Sequence, residues 1–320
     1  MVLFRNIRRV IDYMNKSKNV LKKRKNKDDI ITAVIFLTPV VVLWFWWFFI
    51  PFCKSIKYCF FDFNYALPER THFVGLDNFI RLFQDNYFLK AIIHSTQLVI
   101  VTVPIIVSLA LLLSVLLNQK IVFRGIFRTI FYLPYVMSSI AVATVFMYLF
   151  VKDSPIIIVL SRLFGLDNVT WISDTRYALK AVMLMYIWQQ IGFYMVMFLA
   201  ALQAIPEEVR ESARIDGAGS VREFLFITLP LIKPTLYLSL TMGIISSFKV
   251  FDRLSAISRG TVLGAPAGST STIVTYFYVN AFRYGDMGYA SASVVVLFAI
   301  IFSLTIIQRA LVSKGEEALY

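Results

Sequence analysis

Charge is scarce in this chain: 16 % of its 320 residues are Asp, Glu, Lys or Arg, against 58 % hydrophobic, and the mean hydropathy is +0.72. Such a balance excludes a single water-soluble core and points to a bilayer protein. Histidine is almost absent. The only two, His72 and His94, stand far from any His/Cys/Asp cluster with metal-ligand spacing, and neither an HExxH nor a GxSxG pattern occurs, so no metalloprotease or serine-hydrolase site is expected. The Gly-rich stretch "GTVLGAPAGSTS" (260–271) lacks the lysine of a phosphate-binding loop and reads as a flexible external loop, so the chain binds no ATP of its own. The apolar runs hold almost no carboxylates, which argues against a self-sufficient ion-coupled transporter and for an outside energy source. Two cysteines remain, Cys53 and Cys59. They are close enough in sequence for a disulfide on the outer side, but free packing residues are the favoured reading.

What is abundant is uninterrupted apolar sequence. Ile30–Ile50, Gln97–Leu117, Thr129–Val151, Ala181–Leu202, Leu231–Phe248 and Tyr289–Ile307 each approach the roughly 20 residues that cross a bilayer as helix. Barrel strands would be shorter and alternate in polarity, so the fold class is all-α integral membrane with about six transmembrane helices. The first run follows a long basic leader, exceeds the 7 to 15 or so apolar residues of a signal peptide, and has no Ala-x-Ala-like site after it; it reads as a retained anchor, with "WFWWFF" (44–49) as an interfacial aromatic belt. Pro39, Pro104 and Pro134 are expected to kink or locally unwind their spans. In "GLDNFIRLFQDNYF" (75–88), Leu76, Phe79, Ile80 and Phe83 share one helical face behind Asp77 as an N-cap, which predicts an interfacial helix.

Lysine and arginine give the orientation. "KSKNVLKKRKNK" (16–27) precedes the first span and "NQKIVFRGIFR" (118–128) joins the second to the third, so both lie in the cytoplasm and, with six spans, both termini do too. The net charge of +13 then reflects topology and anionic headgroups, not nucleic acid. The expected organisation is a basic cytoplasmic segment (1–29), a transmembrane domain (30–311) and a cytoplasmic tail (312–320).

Between spans four and five the chain reads "PEEVRESARIDGAGSVREF" (206–224). Pro206 suits a first helical turn, and Glu207 and Glu208 complement the positive end of the helix dipole. The helix is expected to run to about Ile215 and to end at Gly217 in the left-handed conformation; Ser220 and Glu223 have capping-box spacing for a second helix that leads through Pro230 and Pro234 into span five. On the residues alone two readings stay open. One is a capped connector packed on its own bundle; the other is a knob whose Ala213, Gly217 and Ala218 admit a partner's backbone.

"ESARIDGAGSVREFLFITLPLIKP" closely resembles the EAA motif of permease subunits in binding-protein-dependent ABC importers, here Glu211, Ser212, Ala213, Asp216, Gly217 and Ala218, followed by Ile227, Leu229 and Pro230. Ser212 replaces the more usual Ala. "FVGLDNFIRLFQD" (73–85), "FRGIFRTIFYLPYVMSSIAVATVF" (123–146), "ALQAIPEEV" (201–209) and "AFRYGDMGYASA" (281–292) are similar to its carbohydrate-uptake branch, of the maltose or multiple-sugar type. The loop "ISRGTVLGAPAGST" (257–270) departs from the Thr-x-Gly-Gly-Pro-like turn common there. The resemblance implies a type I ABC importer permease fold, with about 206–222 as a coupling helix seated in a groove of a cytoplasmic ATPase. It also implies a second permease, two ATPase subunits that use ATP and Mg, an extracellular or periplasmic substrate-binding protein, and no cofactor or enzymatic activity on this chain.

Span four, "MLMYIWQQIGFYMVMF" (183–198), embeds Tyr186, Trp188, Gln189, Gln190 and Tyr194 in apolar helix. Aromatic faces and amides suit sugars, while ordinary interhelical hydrogen bonding explains them equally well. Resemblance to the maltose-type permease places Tyr186, Trp188, Gln190 and Phe193, and less securely Ser246, on the substrate path. The function so implied is ATP-driven import of a sugar or oligosaccharide across the cytoplasmic membrane. Two alternatives are an importer of the same class for a solute such as a glycerol phosphate, for which the spans offer little basic beyond Lys249, and a free-standing channel or secondary transporter.

Overall fold

The computed structural model describes residues 27–119, 121–258 and 264–317, with the side chains of 27–30, 214 and 311–317 excepted. The leader as far as residue 26, the start of the Gly-rich loop (259–263) and the end of the tail (318–320) lie outside the described residues, as do the expectations placed on them.

Two compact units divide at Ser55. The first carries α1 (Lys27–Trp44), which passes through a π-helical turn at Phe45–Phe49 into α2 (Ile50–Tyr58). Pro39 lies inside α1 without ending it. The aromatic belt falls on the π-helical turn, where Phe45 and Phe49 stack at 4.8 Å. Cys53 and Cys59 are free thiols, so the disulfide alternative is not realised.

The second unit opens on a two-stranded antiparallel ribbon, β1 (Phe61–Asp62) and β2 (His72–Phe73), with Phe61 opposite Phe73. Helix α3 (Asp77–Gln84) follows. Its Asn78 is buried and donates to the carbonyls of Cys59 and Phe61, both at 3.0 Å, which fixes the ribbon to the helix. Leu76, Ile80 and Phe83 remain exposed on the other side, as an interfacial helix requires. The expected cap is wrong: Leu76 holds the N-cap position and Asp77 makes no capping bond. The capping aspartate is Asp85, which accepts from the Tyr87 amide at 2.7 Å and starts α4 (Asn86–Asn118).

In hydrocarbon every backbone polar group must find a partner within the protein, which favours unbroken helices and makes each break informative. Helix α4 continues for 33 residues through Pro104 without a break. The third span is broken. Helix α5 (Arg124–Val136), with Pro134 in its last turn, gives way at Met137 and Ser138 to α6 (Ser139–Leu149), which leaves at 97°. After α7 (Pro155–Phe164) comes α8 (Ala178–Gln203), then α9 (Glu207–Ile215) and α10 (Ser220–Glu223). A π-helical turn at Phe224–Thr228 and the short α11 (Leu229–Leu231) bring the chain to α12 (Lys233–Phe248), which departs at 68°. Then follow α13 (Asp252–Ile257), α14 (Ile273–Tyr278), a π-helical turn at Val279–Arg283 and α15 (Met287–Glu317). Among the described residues four helices are long and apolar enough to cross a membrane, and the number rises to as many as six when each bent pair counts as one span.

Helices α4 and α8 form the central seam, where Leu98, Val103 and Ala110 are buried with Val182, Met195 and Phe198. Helix α5 packs on α8 at Gly192, where an added Cβ would overlap the Phe131 carbonyl. At the other end of the fold, Gly288 admits the β1 ribbon against α15 in the same way, its amide donating to Phe63 O at 3.0 Å.

Candidate functional site

Two groups of residues stand out, one inside the bundle and one beyond its end. The inner group centres on Gln189, the twelfth residue of the 26 in α8. Its Nε2 donates to the Met137 carbonyl at 2.8 Å, filling the acceptor that the break between α5 and α6 leaves open. Its Oε1 accepts from Arg253 Nε at 3.0 Å and from Nη2 at 2.6 Å. One amide thus joins the break of the third span to the end of the fifth. Arg253 is buried, with its guanidinium 4.9 Å from the centre of the Tyr186 ring, a cation–π contact. Tyr186 donates to Ser246 Oγ at 3.1 Å and accepts from Ser247 Oγ at 3.3 Å. Tyr194 also meets Ser246, at 3.5 Å.

The expected path residues are therefore split. Tyr186 and Ser246 are brought together; Phe193 stacks on Tyr135 at 4.8 Å; Trp188 is 43 % exposed and meets Phe146 at 5.3 Å; Gln190 is half-buried. Gln189 is part of the packing frame. Lys249 is exposed, and the buried cation is Arg253, which corrects the expectation that little basic beyond Lys249 lies near the spans. Sequence reasoning missed Arg253 because it follows the apolar run by five residues, in "KVFDR", where composition reads as a loop. The available signal was its neighbourhood: one charged segment between apolar ones.

The outer group is α9 and its turn. Glu207 and Glu208 occupy the first turn as expected, and the helix ends at Ile215. Gly217 is left-handed, with φ +79°, and Ala218 N donates to Ala213 O at 3.0 Å, the closing bond of a Schellman motif. Arg210 Nη2 donates to Leu202 O at 3.2 Å, tying α9 to the end of α8. Ala213 is buried. Glu211, Ser212, Asp216 and Gly217 are exposed, Ala218 is half-buried, and Ile215 is 84 % exposed. The expected capping box fails: Gly219 is the N-cap of α10, Ser220 is already helical, and no side chain caps that helix.

At the opposite end of α4, a cavity of about 560 Å³ is lined by Asp85, Tyr87, Ser271, Thr275, Tyr276 and Asn280. Tyr276 donates to the Asp85 carboxylate and meets the Tyr289 hydroxyl at 2.8 Å. Burial, reinforced by that carboxylate, pushes the Tyr276 hydroxyl well above the usual phenol range.

Residues 86–315 match the family of "Binding-protein-dependent transport system inner membrane component". The chain belongs to that family. Among its relatives, the arabinooligosaccharides transport system permease protein AraP of Halalkalibacterium halodurans is 34 % identical over 84 % of this chain and 85 % of AraP. The lactose transport system permease protein LacF of Rhizobium radiobacter is 31 % identical over 74 % of this chain and 80 % of LacF. A chain of the crystal structure of a bacterial alginate ABC transporter in complex with alginate pentasaccharide-bound periplasmic protein matches with a TM-score of 0.69 and 23 % identity, covering 89 % of this chain and 94 % of that one. This binding-protein-dependent permease accordingly has the type I importer fold and is a transport component, not an enzyme, and the family does not favour a free-standing channel or secondary transporter.

Proposed function

We propose that this permease carries a sugar or oligosaccharide inward, as one of two permease subunits driven by two ATPase subunits and supplied by an external binding protein. The observation that carries the reading is α9: a short helix held to α8 by Arg210, closed by a left-handed Gly217, and presenting Glu211, Ser212, Ile215 and Asp216 outward. An isoleucine 84 % exposed beyond the ends of the spans calls for a partner surface. Residues 206–222 are the coupling helix of this reading, and the ATPases that receive it use ATP and Mg. They lie on the cytoplasmic side, with both termini of the chain. The cavity around Asp85, at the far end of α4, then faces the binding protein.

Saccharide as cargo is supported by the names of relatives that this chain matches over most of its length, and by the Tyr186 hydroxyl on Ser246 with Gln190 and Phe193 along the same face of α8; Trp188 stands on another face, beside Phe146. Cross-linking tests the assignment of α9. With the complete importer in membranes, Ile215→Cys should form a disulfide with a cysteine placed in the surface groove of the ATPase subunit, and ATP should change its yield. No cross-link to any position of that groove would refute the coupling helix.

A further inference from the structure

Arg253 lies beside the middle of α8, where an ionisable side chain is expensive and marks function by default. A buried guanidinium is ordinarily paired with a carboxylate, because an uncompensated charge is strongly disfavoured in low dielectric. Among the described residues no carboxylate pairs with it; the ion pairs all lie elsewhere. Asp252, next to it in the chain, acts on it only from beyond ion-pair distance; its direct partners are a neutral amide and a phenol ring. Gln189 Oε1 takes Nε and Nη2, the side-on edge of the guanidinium, and Tyr186 covers one face. The Nη1 nitrogen has no hydrogen-bond partner among the described residues, so the end-on edge, formed by Nη1 and the second Nη2 hydrogen, is unspent.

An amide orients a guanidinium without neutralising it. Gln189 is itself fixed at its other end by Met137 O, so the cation is held in one plane with its full charge and one fork open. That fork matches a carboxylate in bidentate geometry. The rings and hydroxyls beside it, Tyr186, Ser246 and Ser247, suit the remainder of a sugar ring. A purely structural tie between the two broken spans would be served as well by a neutral partner for Gln189, with no charge to desolvate.

We propose that Arg253 is the anion-recognising residue of the translocation path and that the transported saccharide bears a carboxylate, as an oligosaccharide containing uronic acid does. The proposal rests on the importer reading above and names its substrate class.

The test uses proteoliposomes that hold the complete importer with ATP enclosed and its binding protein outside, offered a mixture of oligogalacturonides and malto-oligosaccharides, with the imported sugars read by mass spectrometry. Acidic oligosaccharides should be imported. Arg253→Gln should lower their import at least tenfold, and Arg253→Lys by threefold or less. Gln189→Glu, which sets an internal carboxylate on the guanidinium, should lower acidic import as Arg253→Gln does. Assembly of each variant is checked by co-purification of the subunits; if Arg253→Gln does not assemble, the Lys and Glu variants decide. Import of neutral sugars alone, or an equal effect of these variants on neutral and acidic sugars, would overturn the role of Arg253 and leave the importer reading intact. Import of no saccharide at all would overturn both.

Discussion

Gly192 of α8 lies against the backbone carbonyl of Phe131 in α5, so closely that a Cβ would overlap it. Without a hydrophobic drive between helices in lipid, such small-residue contacts set how near two helices come. Gly192→Ala should therefore lower the thermal stability of the purified permease, by about 1–3 kcal/mol if it behaves as an overpacked core. Gly125→Ala is the control, because nothing lies within 4 Å of a Cβ there and the helix gains a better former. Thermal unfolding followed by a thiol- or tryptophan-sensitive signal compares the two; equal midpoints would contradict the close approach.

Gly217 poses the opposite case, with φ +79° and open space around it. A side chain there costs about 1–2 kcal/mol in backbone conformation and meets nothing within this chain. Gly217→Leu and Glu211→Lys should insert and assemble yet uncouple ATP hydrolysis from uptake, with Gly217→Ala milder because it adds strain without bulk. Ligand-stimulated ATPase activity and uptake, measured on the same vesicles, check this. Normal values of both in the Leu and Lys variants would remove the coupling role from α9.

Much of this architecture was legible because hydrocarbon restricts the solutions. Of the six apolar runs, four became single long helices and two became bent pairs that make six spans when each counts as one, and the helix 207–215 with its left-handed glycine followed from Pro206, the paired glutamates and Gly217. What sequence patterns could not resolve were the breaks. Pro134 announced a bend but not one of 97°, and Pro104, of the same residue type, leaves α4 continuous, because tertiary packing decides whether a proline ends a helix. Capping spacing misled twice, at Asp77 and at Ser220, where a neighbouring residue holds the cap position. Arg253 was invisible for a different reason: its meaning lies in Gln189, 64 residues away in the chain.

Trp188 is 43 % exposed from a helix whose neighbouring Ile187 and Gln189 are buried, and it touches Phe146 at 5.3 Å. If it stacks on a sugar ring, the contact is worth on the order of 1 kcal/mol, so Trp188→Ala should reduce transport roughly five- to tenfold or narrow the substrate range. Trp188→Phe should be milder, and the binding protein should keep its affinity. Uptake at saturating binding protein is the readout. Normal transport of every substrate by Trp188→Ala would make the residue packing only.

The proposed topology has both termini in the cytoplasm, on the side where the basic segments before span one and between spans two and three belong. Single cysteines introduced near Lys18 or Lys314 should resist a membrane-impermeant maleimide in intact cells and react after permeabilisation. Labelling from outside at either position would contradict six spans.

The central claim is that the chain transports only as part of an ATP-driven, binding-protein-dependent assembly. Uptake of labelled oligosaccharide into proteoliposomes, with this chain alone and with the second permease, the ATPases and the binding protein added, measures it directly. The chain alone should show no uptake and the full assembly ATP-dependent uptake; uptake by the chain alone, without ATP, would overturn the importer reading.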